Sequence, residues 1–421
     1  MRRSAADVLH RLLLFFFGLF VFSSTFSIAL AQTSFGCALI IFVIVAVRNR
    51  HQPFAGPLKW FYLGISAYLG WSLLAALIDP SPVRSIIAMK KEWLFAVTVV
   101  GIYLFRSETY RHKMLRLFAL GVGLLSIYAA VQYFTQTSWL HFDGYHLAPV
   151  PRSVVSGNFS NELTFANFYC VAAFFLLGYA ISGTRLRNRE DFLLVAVASA
   201  SMLAALLTLR RGPVIYLMVV LLSMAILKGK GIRWYSLAML VIVGALTFAM
   251  PEFRNRFVDE LALNAKRGNE SGRVFIWENT VKLIEQNPIF GVGPGNFKES
   301  YTKVVGPDLA EEFRHPHAHN DYLNVAARAG IPDAVLFCGL WLIVFAYLWR
   351  GYQHPDFSPE DRRFCFAALM GSVFFFLSAM SDSTFADDEV RQMLMFVWAA
   401  GLTPWYKISE RTKIPITAES P

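Results

Sequence analysis

Apolar residues run through this chain in long stretches, broken at intervals by short polar and basic clusters. A membrane-crossing helix needs about 20 mostly apolar residues. On that rule the pattern predicts twelve spans, at residues 12–31, 33–47, 60–78, 86–105, 115–134, 161–182, 192–209, 213–227, 232–250, 331–349, 364–380 and 390–406. The second and eighth are short. The fourth opens on Lys90, Lys91 and Glu92, so its first part is expected at the membrane interface. Arg2 and Arg3 precede the first run, and Ala29-Leu30-Ala31 has the form of a secretory cleavage site. That run is longer than the apolar core of a usual signal, so an uncleaved anchor is expected.

Composition agrees with a bundle of spans. The chain has 421 residues, 56% hydrophobic and only 16% charged, with a mean hydropathy of +0.46. A soluble domain carries about 25% charged residues, so an ordinary soluble enzyme, a disordered chain and a coiled coil are all excluded. The expected fold class is all-α, a polytopic helical bundle. Residues 1–250 hold the first nine spans, 251–330 form one large connection, 331–406 hold the last three spans, and 407–421 form a tail. No internal repeat is evident.

The net charge of +10 changes the picture once it is located. With the N-terminus inside, each cytoplasmic connection carries three or four Lys or Arg residues, the positive-inside pattern. The excess is therefore a topology signal, and the dispersed basic residues give no nucleic-acid surface. Both termini fall on the cytoplasmic side, and the 251–330 connection faces outward. It has the aromatics of an ordered element: Trp277, Phe290, Phe297, Tyr301 and Tyr322. Ile276, Trp277, Val281 and Ile284 recur at helical spacing, and the spacing predicts a helix over 274–286 ended by Asn287-Pro288. A short helix is expected from Pro307, and a last one from Asn320 or Asp321 into the tenth span. The four cysteines, Cys37, Cys170, Cys338 and Cys365, all lie in apolar stretches without a C-x-x-C pair. They read as small buried apolar residues.

Few residues on the outward side have chemistry to offer. The first group is His315, His317 and His319, followed by Asn320 and Asp321. Three readings are open: a solvated polar loop, a metal site, or a general base. No nearby cysteine or dense carboxylate set completes a metal site. Neutral imidazole accepts a proton at neutral pH, and the following Asn or Asp is a helix cap that fixes where His319 points. The second group is Arg210-Arg211 in a very short outward connection, followed by Gly212-Pro213. It is either an interfacial anchor or an anion site, because guanidinium forks match phosphate oxygens. Arg273 is the third, at the start of the 274–286 helix, where free N–H groups favour anions; the plain alternative is a surface arginine. Gly291, Gly293 and Gly295 read as a tight turn in preference to an anion nest. Lys91 adds positive charge at the outer interface. Together these suit a lipid-linked phosphate or pyrophosphate, whose departure fixed positive charge assists in place of a metal.

Three motifs carry a family resemblance: Ser271-Gly272-Arg273 with Trp277, Asn287-Pro288-Ile289-Phe290-Gly291-Val292-Gly293, and His317-Ala318-His319-Asn320-Asp321-Tyr322-Leu323. With the layout of many spans and one large outward loop, the chain resembles the O-antigen ligase (WaaL-type) and Wzy polymerase family of membrane glycosyltransferases. Asn320 and Gly330 fit the ligase spacing, while Asp333 stands where that pattern has a second glycine. The resemblance implies a Gram-negative inner-membrane, metal-independent inverting glycosyltransferase with no cofactor. Its donor would be glycan on undecaprenyl pyrophosphate and its acceptor lipid A-core, on the periplasmic side. It implies His319 as base, with Arg273 and one or both of Arg210 and Arg211 as pyrophosphate ligands. His317, Asn320 and Lys91 join the expected substrate-binding set. A Wzy-type polymerase or a protein O-oligosaccharyltransferase would use the same donor. A lipid-linked glycan flippase or transporter is the alternative of another class.

Overall fold

A computed structural model describes residues 5–48, 56–137, 155–159, 161–182, 188–227, 230–251, 272–306 and 315–411. Among these, helices account for all the regular secondary structure. Six helices are long and apolar enough to cross a membrane, by length and composition: α2 (Ile28–Arg48), α3 (Lys59–Ile78), α6 (Glu108–Thr135), α7 (Glu162–Ile181), α10 (Lys230–Ala249) and α14 (Ile331–Gln353). The membrane location follows from them. The other long apolar segments form α1 (Ala5–Ser23), α8 (Arg189–Leu206), α9 (Arg211–Leu227), α15 (Pro359–Ser378) and α16 (Asp388–Leu402).

The first two helices depart from the expected bounds. The chain turns at residues 24–27, well before the expected boundary near residue 32. Ser23, Ser24 and Thr25 donate their hydroxyls back to the carbonyls of Leu19, Val21 and Phe22. A turn built that way leaves hydropathy almost unbroken, which is why an apolar window runs straight through it. The Ala29-Leu30-Ala31 triplet lies inside α2. The 86–105 segment, read as one span, is broken into α4 (Pro82–Ala88), a 3-10 turn over Glu92–Phe95 and the short α5 (Ala96–Phe105).

At the centre lies α7, buried over nearly its whole length and packed on α8 and α15. A helix that is apolar all round belongs inside a bundle. Small residues set the close approach: a Cβ on Gly178 would stand 3.0 Å from the Ala367 backbone. Away from the 251–330 connection, buried ion pairs tie the helix ends, with Arg111 on Asp361 at 2.6 Å, Lys407 on Asp361 at 3.0 Å, and Arg363 on Asp191.

The 251–330 connection contributes a second, smaller core. It contains α11 (Arg273–Gln286), α12 (Phe297–Val305) and α13 (Asp321–Ala329). Ile276, Leu283, Phe297, Tyr301, Ala318 and Ala327 cluster there. The 274–286 reading agrees with α11 to within a residue, and Asn287 is its C-cap. The short helix read at Pro307 and the tail beyond residue 411 lie outside the described residues. The helix expected to run from Asn320 into the tenth span is two helices, because Gly330 breaks it at φ +90°. A Cβ on Gly330 would lie 1.9 Å from the Ile289 carbonyl oxygen. Gly330→Ala is therefore expected to destabilise by more than about 1 kcal/mol, read as a lower unfolding temperature in detergent; an unchanged melt would remove Gly330 as the required corner.

Candidate active site

The histidine turn is fixed from both ends. Ala318 is fully buried in the smaller core. Asn320 caps α13, its side chain accepting from the Leu323 N–H at 3.0 Å and donating to the Met380 carbonyl at 2.8 Å. The Asn320 N–H donates to Ser383 Oγ and the Asp321 N–H to the Ala379 carbonyl. The Asp321 carboxylate in turn accepts from the Phe385 N–H at 3.0 Å. Residues 379–387, between α15 and α16, thus form the bed on which the turn lies. Held this way, His319 has φ +49°, a left-handed conformation that costs a non-glycine residue about 1–3 kcal/mol. Strain maintained by so many bonds is a mark of a functional position.

The three imidazoles meet. The rings of His317 and His319 are 4.3 Å apart, and those of His315 and His319 are 5.6 Å apart. Burial, with His317, Arg273 and His315 nearby, pushes the His319 imidazole down to about 3. His317 is pushed down to about 4 by burial, His315 and Arg328. His319 is therefore neutral at physiological pH and in the field of Arg273. Among the described residues no group of histidine, cysteine or carboxylate side chains is arranged to hold a metal ion.

These shifts make the turn acid-sensitive. An imidazole held neutral in the folded state takes a proton more readily when released, so its contribution to stability is full above the ordinary value of 6.5 and is lost as pH falls toward about 4. Deuterium uptake at the amides of residues 317–323 is expected to rise between about pH 7 and about pH 5. Uptake that stays flat after correction for intrinsic exchange would contradict this.

Arg273 is the first residue of α11, and Gly272 before it is an N-cap without a side-chain bond. Its guanidinium is partly exposed and donates at 2.8 Å to Asp382, which is fully buried in the 379–387 bed. Burial raises the Asp382 carboxyl, while Arg273, Asn167 and Arg210 pull it back toward the charged form. Gly212, one residue into α9, closes the same corner: a Cβ there would stand 3.5 Å from Asp382 Oδ2 and 3.8 Å from Arg273 Nη1. Arg211 is the first residue of α9, half-buried beside this glycine. Arg210 pairs with Glu162, at the start of α7. Lys91 donates to the Ala386 carbonyl at 2.5 Å and pairs with Asp388 at 3.4 Å. Thr164 on α7 donates to Asp387.

The expected residues therefore gather around one bed, with a difference in electrostatics. The positive groups are matched by carboxylates: Arg273 by Asp382, Arg210 by Glu162 and Lys91 by Asp388. No spacing motif marks the matching acids: Asp382 and Asp388 follow one apolar span and Glu162 opens another. The available signals were the polar run Ser381-Asp382-Ser383-Thr384 and the placement of Glu162 and Asn167 within an apolar segment, since polar groups at such positions are rarely idle.

The glycine turn is structural. Gly291 and Gly293 have φ +65° and +87°, and Cβ atoms there would lie 2.5 Å from the Arg328 backbone and the Asp79 carboxylate respectively. Val292 donates to the Ala327 carbonyl and Arg328 to the Pro294 carbonyl. Asp333, the departure from the ligase spacing, is buried and accepts from Ser72 at 2.7 Å, tying α14 to α3.

Residues 194–338 match the family model described as O-antigen ligase. Over this stretch the chain is similar to the O-antigen ligase family. The matched stretch runs from α8 into α14 and contains Arg210, Arg211, Arg273 and the whole histidine turn; Lys91 and the 379–387 bed lie outside it. No curated protein matches the chain. The match supports a glycosyl-transfer role.

Proposed function

We propose that this protein is an O-antigen ligase. It transfers glycan from undecaprenyl pyrophosphate to a lipid A-core sugar at the periplasmic face of the Gram-negative inner membrane. The observation that carries the reading is the convergence of a strained, neutral His319 and the guanidinium of Arg273 on one docked turn, inside the family match. The topology is twelve spans with both termini cytoplasmic, placing the histidine turn and the arginines outward.

The reaction is a single displacement with inversion. An acceptor sugar hydroxyl attacks the anomeric carbon, and a ring nitrogen of His319 takes its proton. The bond from the anomeric carbon to the phosphate oxygen breaks, and the pyrophosphate leaves on its lipid. Arg273, Arg211 and Arg210 hold the pyrophosphate, and fixed guanidinium charge stabilises the developing negative charge without reorganisation. No cofactor or metal is required. His317 buttresses the base, Asn320 holds the turn, and Lys91 adds charge at the rim.

The carboxylate partners refine this scheme. Asp382 fixes one edge of the Arg273 fork, leaving the partly exposed remainder for phosphate. A pyrophosphate bound there brings negative charge beside His319 and offsets the field that holds its basicity down. The base is thereby strengthened when donor is present.

A polymerase or a protein O-oligosaccharyltransferase would share donor and base and differ in acceptor. The deciding test incubates purified protein with lipid-linked glycan and, separately, lipid A-core, a second glycan and a protein acceptor, with the products identified by mass. Glycan joined to lipid A-core is expected. Product on another acceptor alone would move the assignment within the family. Donor moved across a vesicle membrane without any new bond would favour a flippase.

A further inference from the structure

A cavity with a mixed polar and apolar lining lies apart from the histidine turn. It has a volume of about 690 Å³ and opens between the outer end of α3, the C-terminal end of α11, the glycine turn and α12. That size falls within the roughly 300–1,000 Å³ of small-molecule sites.

Its lining is a mixture. Asp79 is buried and fixed in place, accepting from Ser85 and, at 2.7 Å, from Asn296 Nδ2. The Asn296 amide cannot be turned over, because its nitrogen also donates to the Val292 carbonyl. Its oxygen is consequently a buried acceptor without a donor among the described residues, a group whose pairing calls for an explanation. Gln286, Asn287 and Ser300 add amides and a hydroxyl, and Lys282 and Lys303 add cations. The apolar share comes from Ile78, Val292 and Phe290, the last stacked on Trp71 at 5.5 Å.

We propose that this cavity is a saccharide subsite. Sugars present dense hydroxyls that both donate and accept, beside apolar C–H faces. Fixed amides and a carboxylate next to an aromatic wall answer both features, whereas a lipid tail would leave those polar groups unpaired. Its position suits a glycan extending from the reaction centre. Arg273 begins α11 and Gln286 ends it, so the cavity sits roughly 20 Å along that helix from the arginine. Its floor includes Ile78, and exposed Leu77, Val83 and Ile87 flank it, which puts it at the level where a lipid-borne glycan meets water. The choice of probe sugars rests on the proposed ligase reading; the cavity chemistry does not.

The test measures binding of two soluble probes to the full chain in nanodiscs: core oligosaccharide freed of its lipid, and glycan released from the donor lipid. Gln286→Trp and Ser300→Trp fill the cavity from side chains that hold no other group among the described residues. Saturable binding of either probe is expected, weakened by at least about tenfold in both variants with unchanged melting temperatures. Preference for one probe tells which glycan the cavity takes. His319→Ala is expected to bind as the wild type does, so loss of transfer and loss of sugar binding are read separately. Absence of binding by both probes, or binding untouched by the filling variants, overturns the proposal.

Discussion

Replacing His319 by alanine is expected to lower glycan transfer by about 10²–10⁴-fold, the usual worth of a positioned general base. Donor binding should persist, because the proposed pyrophosphate contacts come from arginines. The measurement is single-turnover transfer from lipid-linked donor by purified protein. The left-handed backbone at this position complicates alanine, which tolerates φ +49° poorly. Asparagine tolerates it well, so His319→Asn separates loss of the ring from strain. Both variants should lose activity, and only the alanine variant should also lose thermal stability. Full activity in His319→Asn would remove the histidine from its role as base.

The second large effect is expected at Arg273. Arg273→Ala should cut transfer by about 10²–10³-fold, comparable to removing one fixed donor from a developing anion, and should weaken donor binding. It also strips the buried Asp382 of its cation. Burial already raises that carboxyl, and without Arg273 it rises further, so the 379–387 bed under the histidine turn should loosen. Adding Asp382→Asn removes the orphaned charge and is expected to restore stability without restoring transfer. Arg273→Lys keeps one charge but loses the fork, and should recover only part of the rate. If the double variant recovered transfer along with stability, Arg273 would be a structural partner of Asp382 and nothing more.

The candidate site was legible to the extent that its residues announce themselves locally. Three histidines within five residues, an arginine beside a glycine at a helix start, and Asn320 ahead of a helical run are all short-range patterns. Capping chemistry acts over three or four residues, so sequence reads it well: Asn320 and Asn287 both cap where expected. Asp382 could not be read this way. It lies 109 positions from Arg273 and 215 from Asn167 along the chain, and nothing in its neighbours encodes either meeting. The 690 Å³ cavity is similarly remote, joining Asp79 to Asn296 across 217 positions.

The sequence by itself determined that this protein is helical and lies in a membrane, and it pointed to one connection near residue 300 as the main seat of the expected chemistry. Those properties follow from what lipid and backbone demand of each segment alone: apolar runs long enough to span, and end groups that satisfy free N–H and C=O. Tertiary structure alone decided where apolar runs bend, as at residues 24–27 and Gly330, since hydroxyl back-bonding and close backbone approach leave little trace in hydropathy. It also decided the charge state of the site. Whether the Arg273 guanidinium stands bare or is steadied by a carboxylate depends on which loop the histidine turn docks against. Docking is fixed by packing between distant helices, and no local pattern encodes it.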